Sequence, residues 1–243
     1  MDIIKLNAIP STNSYLRELV ARGQVGDELV VTATTQQEGR GQHGSVWQSQ
    51  AGKSLACSLF KRFSGLRATE QFLLNMLVSQ GVVDALKVLE IPKVAIKWPN
   101  DIMSQGKKVA GILIENQLKG SEISSGIIGI GLNVNETFFE GLPQASSLKL
   151  ITGKTFTIDE VVHTVATLVF ERLKGMPCAT FGTVQQDYHD LLFKRNVVST
   201  FQTEAGLKIN GIILGVSPLG KLRVSHEDDT IVEYGLKEIK LLF

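Results

Sequence analysis

The stretch GRGQHGSVW, Gly39 to Trp47, spells two phosphate-binding signatures at once. It fits G-x-G-x-x-G, the dinucleotide fingerprint, and G-x-G-x-x-G-x-V, the glycine-rich loop of protein kinases, which VAIK at Val94 to Lys97 reinforces. Each signature makes a demand on the rest of the chain. A dinucleotide loop opens a helix that receives the pyrophosphate and needs an acidic residue about 20 positions on for the ribose. SVWQSQAGKSLACSLF makes a poor helix, and no Asp or Glu lies between Glu38 and Glu70. A kinase needs H-R-D and D-F-G after its lysine strand, and the chain has neither. A Walker loop fails because Ser45 stands where its lysine belongs. Two readings survive: an anion-binding nest of backbone N–H groups at Gly39, Gly41 and Gly44 assisted by Arg40, or a hairpin loop whose glycines permit positive φ.

The flanking sequence predicts a mixed α/β layer. Ser11 or Thr12 caps a first helix running to Arg22, with Leu16, Leu19 and Val20 on one face and Gly23 as its stop. ELVVTATTQ and SLACSLF on either side of the loop read as strands. Glu70 to Leu89 carries Leu73, Met76, Leu77, Val83 and Leu86 at helical spacing and ends before Ile91-Pro92. KVAIKW, KVAGILIEN and GIIGIGLNVN are three further strands. Thr157 and Glu160 predict a capping box for a helix with Val161, Val165, Leu168 and Val169 inward, and Phe181, Val184, Tyr188 and Leu191 mark another. Beyond about Lys194 the chain turns to short β-rich pieces separated by AGL, NG, SPLG and EDD, the turn chemistry of hairpins. We therefore expect a main domain over 1–193 and a small C-terminal β-barrel over 194–243.

Composition narrows the function. The chain has 243 residues, 43% of them apolar, enough for a sizeable core, and a formal charge of +1. Near-zero charge without a basic run argues against nucleic acid or an anionic membrane as partner. No window reaches the length of a membrane span and the N-terminus lacks a signal pattern, so the expected compartment is the cytoplasm. Cys57 and Cys178 lack a C-x-x-C pattern and read as buried thiols, and the four histidines show no metal-ligand spacing.

Three further stretches point to chemistry. In a strand, residues two apart share a face, so Gly129, Gly131 and Asn133 of GIIGIGLNVN align two absent side chains with an amide. Either a ligand or a helix packs on that bare backbone. In KWPNDI, Lys97 is carried to the sheet edge and Pro99 ends the ladder. Asn100 and Asp101 then project from a turn that suits Mg²⁺ or a nucleotide, or is a plain Pro-Asn-Asp turn. In GKKVAGILIE, which starts with Lys107 and Lys108, a lysine head stands beside space that the small Ala110 and Gly111 leave free, or is simply solvated at the strand entry.

Taken together and in this order, STN at Ser11 to Asn13, the GRG loop with Trp47, KWPND, KVAGILIE and GIGLNVN resemble the biotin protein ligase family. The resemblance covers the main domain almost end to end. It implies a class II aminoacyl-tRNA-synthetase-like, biotin/lipoate-ligase α+β catalytic domain with a small C-terminal β-barrel. It also implies a reaction in which biotin and ATP give biotinyl-5′-AMP, after which a lysine of a biotin carboxyl carrier domain takes the biotinyl group. By the same resemblance Lys108, with Arg40, is catalytic. Ser11, Thr12, Asn13, Gln36, Gly39, Gly41, Gly111, Gly129 and Gly131 form the biotin pocket. Arg40, Gln42, Trp47, Lys97, Asn100, Asp101 and Asn133 face ATP, and Asp101 faces Mg²⁺. Trp47 either anchors the loop or covers the adenine.

One departure stands out: family loops commonly carry arginine where this chain has Gln42. Some members carry an N-terminal DNA-binding domain; with STN already at Ser11 and near-zero net charge, a DNA-binding role is not expected here. A lipoate protein ligase shares the fold but shows an R-R-x-x-G-G-G loop, absent here. A non-catalytic carrier-binding module on the same fold would release no pyrophosphate from ATP and biotin. Monomer and homodimer both remain open.

Overall fold

The computed structural model describes residues 1–243, the side chains of His43 and Pro177 excepted. The apolar, β-branched runs form a seven-stranded sheet. In chain order its strands are β1 (Asp2–Ile9), β2 (Leu29–Gln36), β3 (Ser54–Arg62), β4 (Val94–Lys97), β5 (Asp101–Ser104), β6 (Lys107–Lys119) and β7 (Glu122–Asn133). Their spatial order is β1-β2-β3-β7-β6-β5-β4. Only β1 and β2 pair in parallel.

The helices cover the sheet unequally. Helices α2 (Gln71–Val88) and α4 (Ile158–Lys174) lie on one face, where Leu55, Cys57, Leu59, Ile128, Ile130 and Leu132 meet Met76, Val83, Val165 and Val169. Their axes come close because Gly81 of α2 has no side chain; a Cβ there would stand 2.7 Å from the Cα of Val169. Helix α1 (Thr12–Ala21) covers only part of the opposite face, with Leu16 on Val31, Phe60 and Ile127. The rest of that face, around Gly111 and Gly131, has no helix over it. A short helix, α3 (Leu148–Thr152), begins at Ser147, whose hydroxyl accepts from the Leu150 N–H, and α5 (Phe181–Asp190) leads out of the layer.

The strands β8 (Val198–Thr203), β9 (Lys208–Val216), β10 (Leu222–Ser225), β11 (Ile231–Tyr234) and β12 (Ile239–Leu242) form an antiparallel sheet in the order β11-β10-β9-β8-β12. Phe201 is its buried centre, with Ile213, Val224 and Ile239 around it. Backbone bonds tie the chain leading into it to β4: Ile96 donates to Leu191 at 2.7 Å and Phe193 donates to Ile96 at 2.9 Å. The Trp98 indole N–H donates to the Gly220 carbonyl at 2.9 Å.

Several expectations are amended. β1 and β5 were not expected; β1 is an edge strand and β5 has four residues, so neither shows a clean alternation. Thr157 precedes α4 as expected, but its side chain makes no capping hydrogen bond, and Asp159 and Glu160 favour the helix start through its dipole instead. Cys57 is buried, its thiol pushed up to about 12 by burial, whereas Cys178 is exposed rather than buried. Among the described residues no helix is long and apolar enough to cross a membrane.

His189 on α5 joins the two sheets. Its Nε2 accepts from the Val216 N–H at 3.0 Å, and Gly215 admits the ring; a Cβ there would stand 2.6 Å from Cε1. Burial, followed by the charge of Arg195, pushes the imidazole below its ordinary 6.5. The folded chain therefore holds the neutral ring while the unfolded chain takes up a proton more readily, so stability is full above 6.5 and is lost as pH falls toward the lower folded value. Between about pH 7.5 and 5.5 the melting temperature of the wild type falls more steeply than that of His189→Gln. The glutamine oxygen accepts the same bond without titrating, so parallel curves would refute this account.

Candidate functional site

The uncovered face of the sheet is where side-chain volume runs out. Register places Gly111 of β6 opposite Gly131 of β7, and Gly129 opposite Ser58 of β3. The bare patch floors a cavity of about 300 Å³. Its wall carries Ser11, Thr12, Asn13, Gln36, Arg40, Gly41, Gln42, Trp47, Asn100, Asp101 and Lys108, so these expected site residues are brought together.

One end of the cavity is a hydrogen-bond network. The Gln36 side-chain oxygen accepts from the Thr12 N–H at 2.7 Å and from the Thr12 hydroxyl at 2.9 Å. The buried Ser58 hydroxyl lies 2.7 Å from that of Thr12 and also contacts the Asn13 side-chain oxygen. Asn13 donates through Nδ2 to Glu115 at 2.8 Å, and Glu115 pairs with Arg17 and, at 3.5 Å, with Arg40. Gly129 is required here, because a Cβ would stand 2.5 Å from the Asn13 oxygen. The sequence left open whether a ligand or a helix packs on Gly129; what packs there is the first turn of α1.

The other end is charged. Ile102 pairs with Ala110 but Met103 pairs with Lys108, so β6 carries one extra residue at a bulge. Since successive side chains of a strand alternate, that insertion turns Lys108 onto the face of Asp101 and Gly111. Lys108 Nζ lies 2.6 Å from one Asp101 oxygen and Lys97 Nζ 3.2 Å from the other. A strap follows this edge: the Lys108 N–H donates to Gln144, the Ser146 N–H donates to Lys108, and Asn133 Nδ2 donates to Ser146 at 3.0 Å. Asp101 opens β5 rather than hanging from a turn. The Asn100 amide donates to the Ile112 carbonyl at 2.7 Å, clamping the turn to β6.

The glycine loop is a closed hairpin, not an open nest. The Gly41 N–H donates to Ser45 at 2.7 Å and the Trp47 N–H to Gly39 at 2.9 Å. Gly39 lies outside the cavity wall; a Cβ there would stand 2.3 Å from the Trp47 carbonyl oxygen. The hairpin delivers the Trp47 indole onto the bare strands, where a Cβ on Gly131 would stand 2.3 Å from Cε2. Its buried Nε1 has no partner among the described residues. Lys108 Nζ lies 5.8 Å from the centroid of the ring.

Two expected residues line neighbouring cavities instead. Asn133 borders an apolar recess of about 320 Å³ made by Trp47, Phe139, Leu142, Pro143 and Lys108. Lys97 borders a smaller cavity between the two sheets. Ser58 and Glu115 carried no expected role, although a polar residue in an otherwise apolar strand and the acid closing KVAGILIE were visible signals. Among the described residues no three ligating side chains cluster around a metal. Asp101 offers one carboxylate, and its two oxygens are held by Lys97 and Lys108.

The seating of Trp47 is directly measurable. In a Trp98→Phe background, Gly131→Ala displaces the indole, and its emission shifts to the red as Nε1 reaches water. An unchanged spectrum would show that the ring is not seated on β7.

The model of the Biotin/lipoate A/B protein ligase family matches residues 6–133. The Bifunctional ligase/repressor BirA of Bacillus subtilis (strain 168) is 38% identical over 135 residues, covering 55% of this chain and 41% of that protein. The Biotin--[acetyl-CoA-carboxylase] ligase of Mycobacterium tuberculosis is 31% identical over 150 residues, covering 59% of this chain and 54% of that protein. The matched region thus spans only about two fifths to one half of these relatives' length. The solved structure of the biotin protein ligase from Aquifex aeolicus in complex with biotin and ATP superposes with a TM-score of 0.80 at 29% identity, over 99% of this chain and 98% of that one. With more than half of its length matched by the family model and its fold shared end to end with that structure, the chain belongs to the biotin/lipoate A/B protein ligase family.

Proposed function

We propose that this chain joins biotin to ATP as biotinyl-5′-AMP and passes the biotinyl group to a lysine of a biotin carboxyl carrier domain. The observation that carries this reading is a shared wall. Lys108 and Trp47 border both the hydrogen-bonding cavity and the apolar recess. A molecule with a polar bicyclic head fits the first and a nucleobase fits the second, and their reacting ends meet at Lys108. The Aquifex aeolicus relative has been solved with biotin and ATP bound.

In the first step a carboxylate oxygen of biotin attacks the α-phosphorus, and the bond to the bridging oxygen of the β-phosphate breaks, releasing pyrophosphate. In the second, a carrier lysine amine attacks the acyl carbon, AMP departs and the amine proton goes to solvent. Bringing a carboxylate to a phosphate at about 4 Å costs on the order of several kcal/mol at an effective dielectric near 20. Lys108 offsets that repulsion where it arises, oriented by its 2.6 Å contact with Asp101. Gln36, Thr12 and Ser11, which line that cavity, supply donors and acceptors for the ureido ring, with the buried Ser58 behind Thr12. Trp47 covers the seam between biotin and adenine, and Asn133 faces the nucleotide. Arg40 is held by Glu115 and by the Ser14 hydroxyl, so it shapes the loop side of the cavity. Mg²⁺, arriving on ATP with Asp101 and Asn100 beside it, would neutralise phosphate charge. On this reading domain 1–193 carries both cavities, and domain 194–243 joins it in lining the smaller one between the two sheets.

Exchange of labelled pyrophosphate into ATP in the presence of biotin, and the mass gained by a carrier domain, test the reading. Lys108→Ala lowers the exchange rate by about 10²–10³-fold with little change in melting temperature, the loss typical of one group that meets developing charge. A rate within a factor of two of wild type, on the order of experimental scatter, would overturn the assignment. The neutral Gln42 leaves the adenylate less tightly held than a cation would. Gln42→Arg therefore slows release of biotinyl-AMP, and equal release rates would dispose of the idea.

A further inference from the structure

Among the described residues Glu136 is the one carboxylate that folding buries, with 3% of its surface exposed. No lysine or arginine there pairs with it; its Oε1 accepts from the Gln50 N–H at 2.6 Å. A carboxylate taken out of water without a cation is costly to place, so packing alone would favour an apolar side chain at this position. Its location supplies a reason. Glu136 stands at the root of the strap, residues 137–146, just after β7 has ended, and the Ser147 hydroxyl donates to its carbonyl and closes the base of that loop. One residue earlier, the Asn135 N–H donates to Lys53 at 2.6 Å. Gln50 and Lys53 belong to the segment that runs from Trp47 into β3.

These two segments are the two lips of the apolar recess. Trp47 and Gln48 form one, and Phe139, Leu142 and Pro143 form the other. At its far end the strap is tied to β6, where Lys107 donates to the Pro143 carbonyl at 2.8 Å and the Lys108 N–H to Gln144 at 2.7 Å. Neither of those bonds reaches the Trp47 lip. The Glu136 carboxylate does, and it does so without lining the recess itself. Val46 on one lip and Leu142 on the other are 69% and 48% exposed, apolar surface that a flat ring entering between the lips would cover.

Resting on the ligase reading above, we propose that Glu136 is a positioning residue for the nucleotide: its carboxylate sets the width of the recess by fixing the lip that carries Trp47 to the root of the strap. Glu136 lines neither of the cavities that Lys108 borders, so biotin binding and the chemical step do not depend on it. The bond to Gln50 requires an acceptor at this position and not a charge.

The test compares Glu136→Met, which keeps the length of the side chain and loses the acceptor, with Glu136→Gln, which keeps the acceptor and loses the charge. KM for ATP rises about tenfold in Glu136→Met, the loss expected of one charge-assisted hydrogen bond, and stays within about twofold of wild type in Glu136→Gln. The rate at saturating ATP and the affinity for biotin stay at wild-type values in both. Adenosine, titrated against the emission of Trp47 in a Trp98→Phe background, follows the same pattern without turnover. An unchanged KM for ATP in Glu136→Met overturns the proposal, as does an equal loss of biotin affinity, which marks a general defect of the fold. Should Glu136→Met not fold, Glu136→Asp carries the test: it keeps the charge but draws the acceptor back, so KM for ATP rises there too, and an unchanged value overturns the proposal. If the wild type makes no adenylate, the ligase reading fails separately; if adenosine binds wild type and Glu136→Met alike, it is the positioning role that fails.

Discussion

Everything at this site depends on a shortage of side-chain volume on one face of one β-hairpin. Gly111, Gly129 and Gly131 of β6 and β7 leave a floor of backbone, and Asn13 and Trp47 approach it to distances that a methyl group would forbid. Glycine weakens a strand interior, a cost the sheet bears because both strands are paired along this stretch: β7 with β3 and β6, and β6 with β7. The same floor sets the spacing between the hydrogen-bonding end of the cavity and its charged end.

Local irregularity does the aiming. Without the bulge opposite Ile102 and Met103, the two-residue period would send Lys108 into the core face beside Val109 and Ala110, which are fully buried. With it, Lys108 meets Asp101 and Trp47. The network from Gln36 to Glu115 plays the same part at the far end, because each member fixes the next. Thr12 orients Gln36, Ser58 separates Thr12 from Asn13, and Glu115 gathers Asn13, Arg17 and Arg40. Removing Glu115, which does not itself line the main cavity, would unlink the loop from α1.

Much of this was legible in the sequence because it is local. Gly23 ends α1, the β-branched run before the loop forms β2, and the apolar spacing of Leu73, Met76 and Leu77 builds α2 as drawn. The site motifs were found for the same reason, each being contiguous. What was hidden is non-local. That Gly41 bonds Ser45 and closes the hairpin, that Trp47 fills the space over Gly131, and that Lys97 and Asn133 face separate cavities depend on how strands register, which no short window records. Glu115 closes KVAGILIE, but its partners are far off in the chain: Asn13 and Arg17 on α1 and Arg40 on the loop.

The C-terminal sheet belongs to the same physical argument. It meets the rest of the chain at Trp98, beside the turn that holds Asn100 and Asp101, and at His189 of α5, while the segment leading into it bonds Ile96 of β4. An independent appendage would have no reason to anchor there. Because the Trp98 indole reaches Gly220 and the Phe243 ring lies 5.6 Å from Lys97 Nζ, a displacement of the small sheet must move the charged end of the cavity. Gln144 closes the circuit, donating to the Phe243 carbonyl while its own carbonyl holds the Lys108 N–H. The lysine over the glycine floor is thus positioned from both sheets, and the architecture makes the small sheet a structural part of the cavity's charged edge.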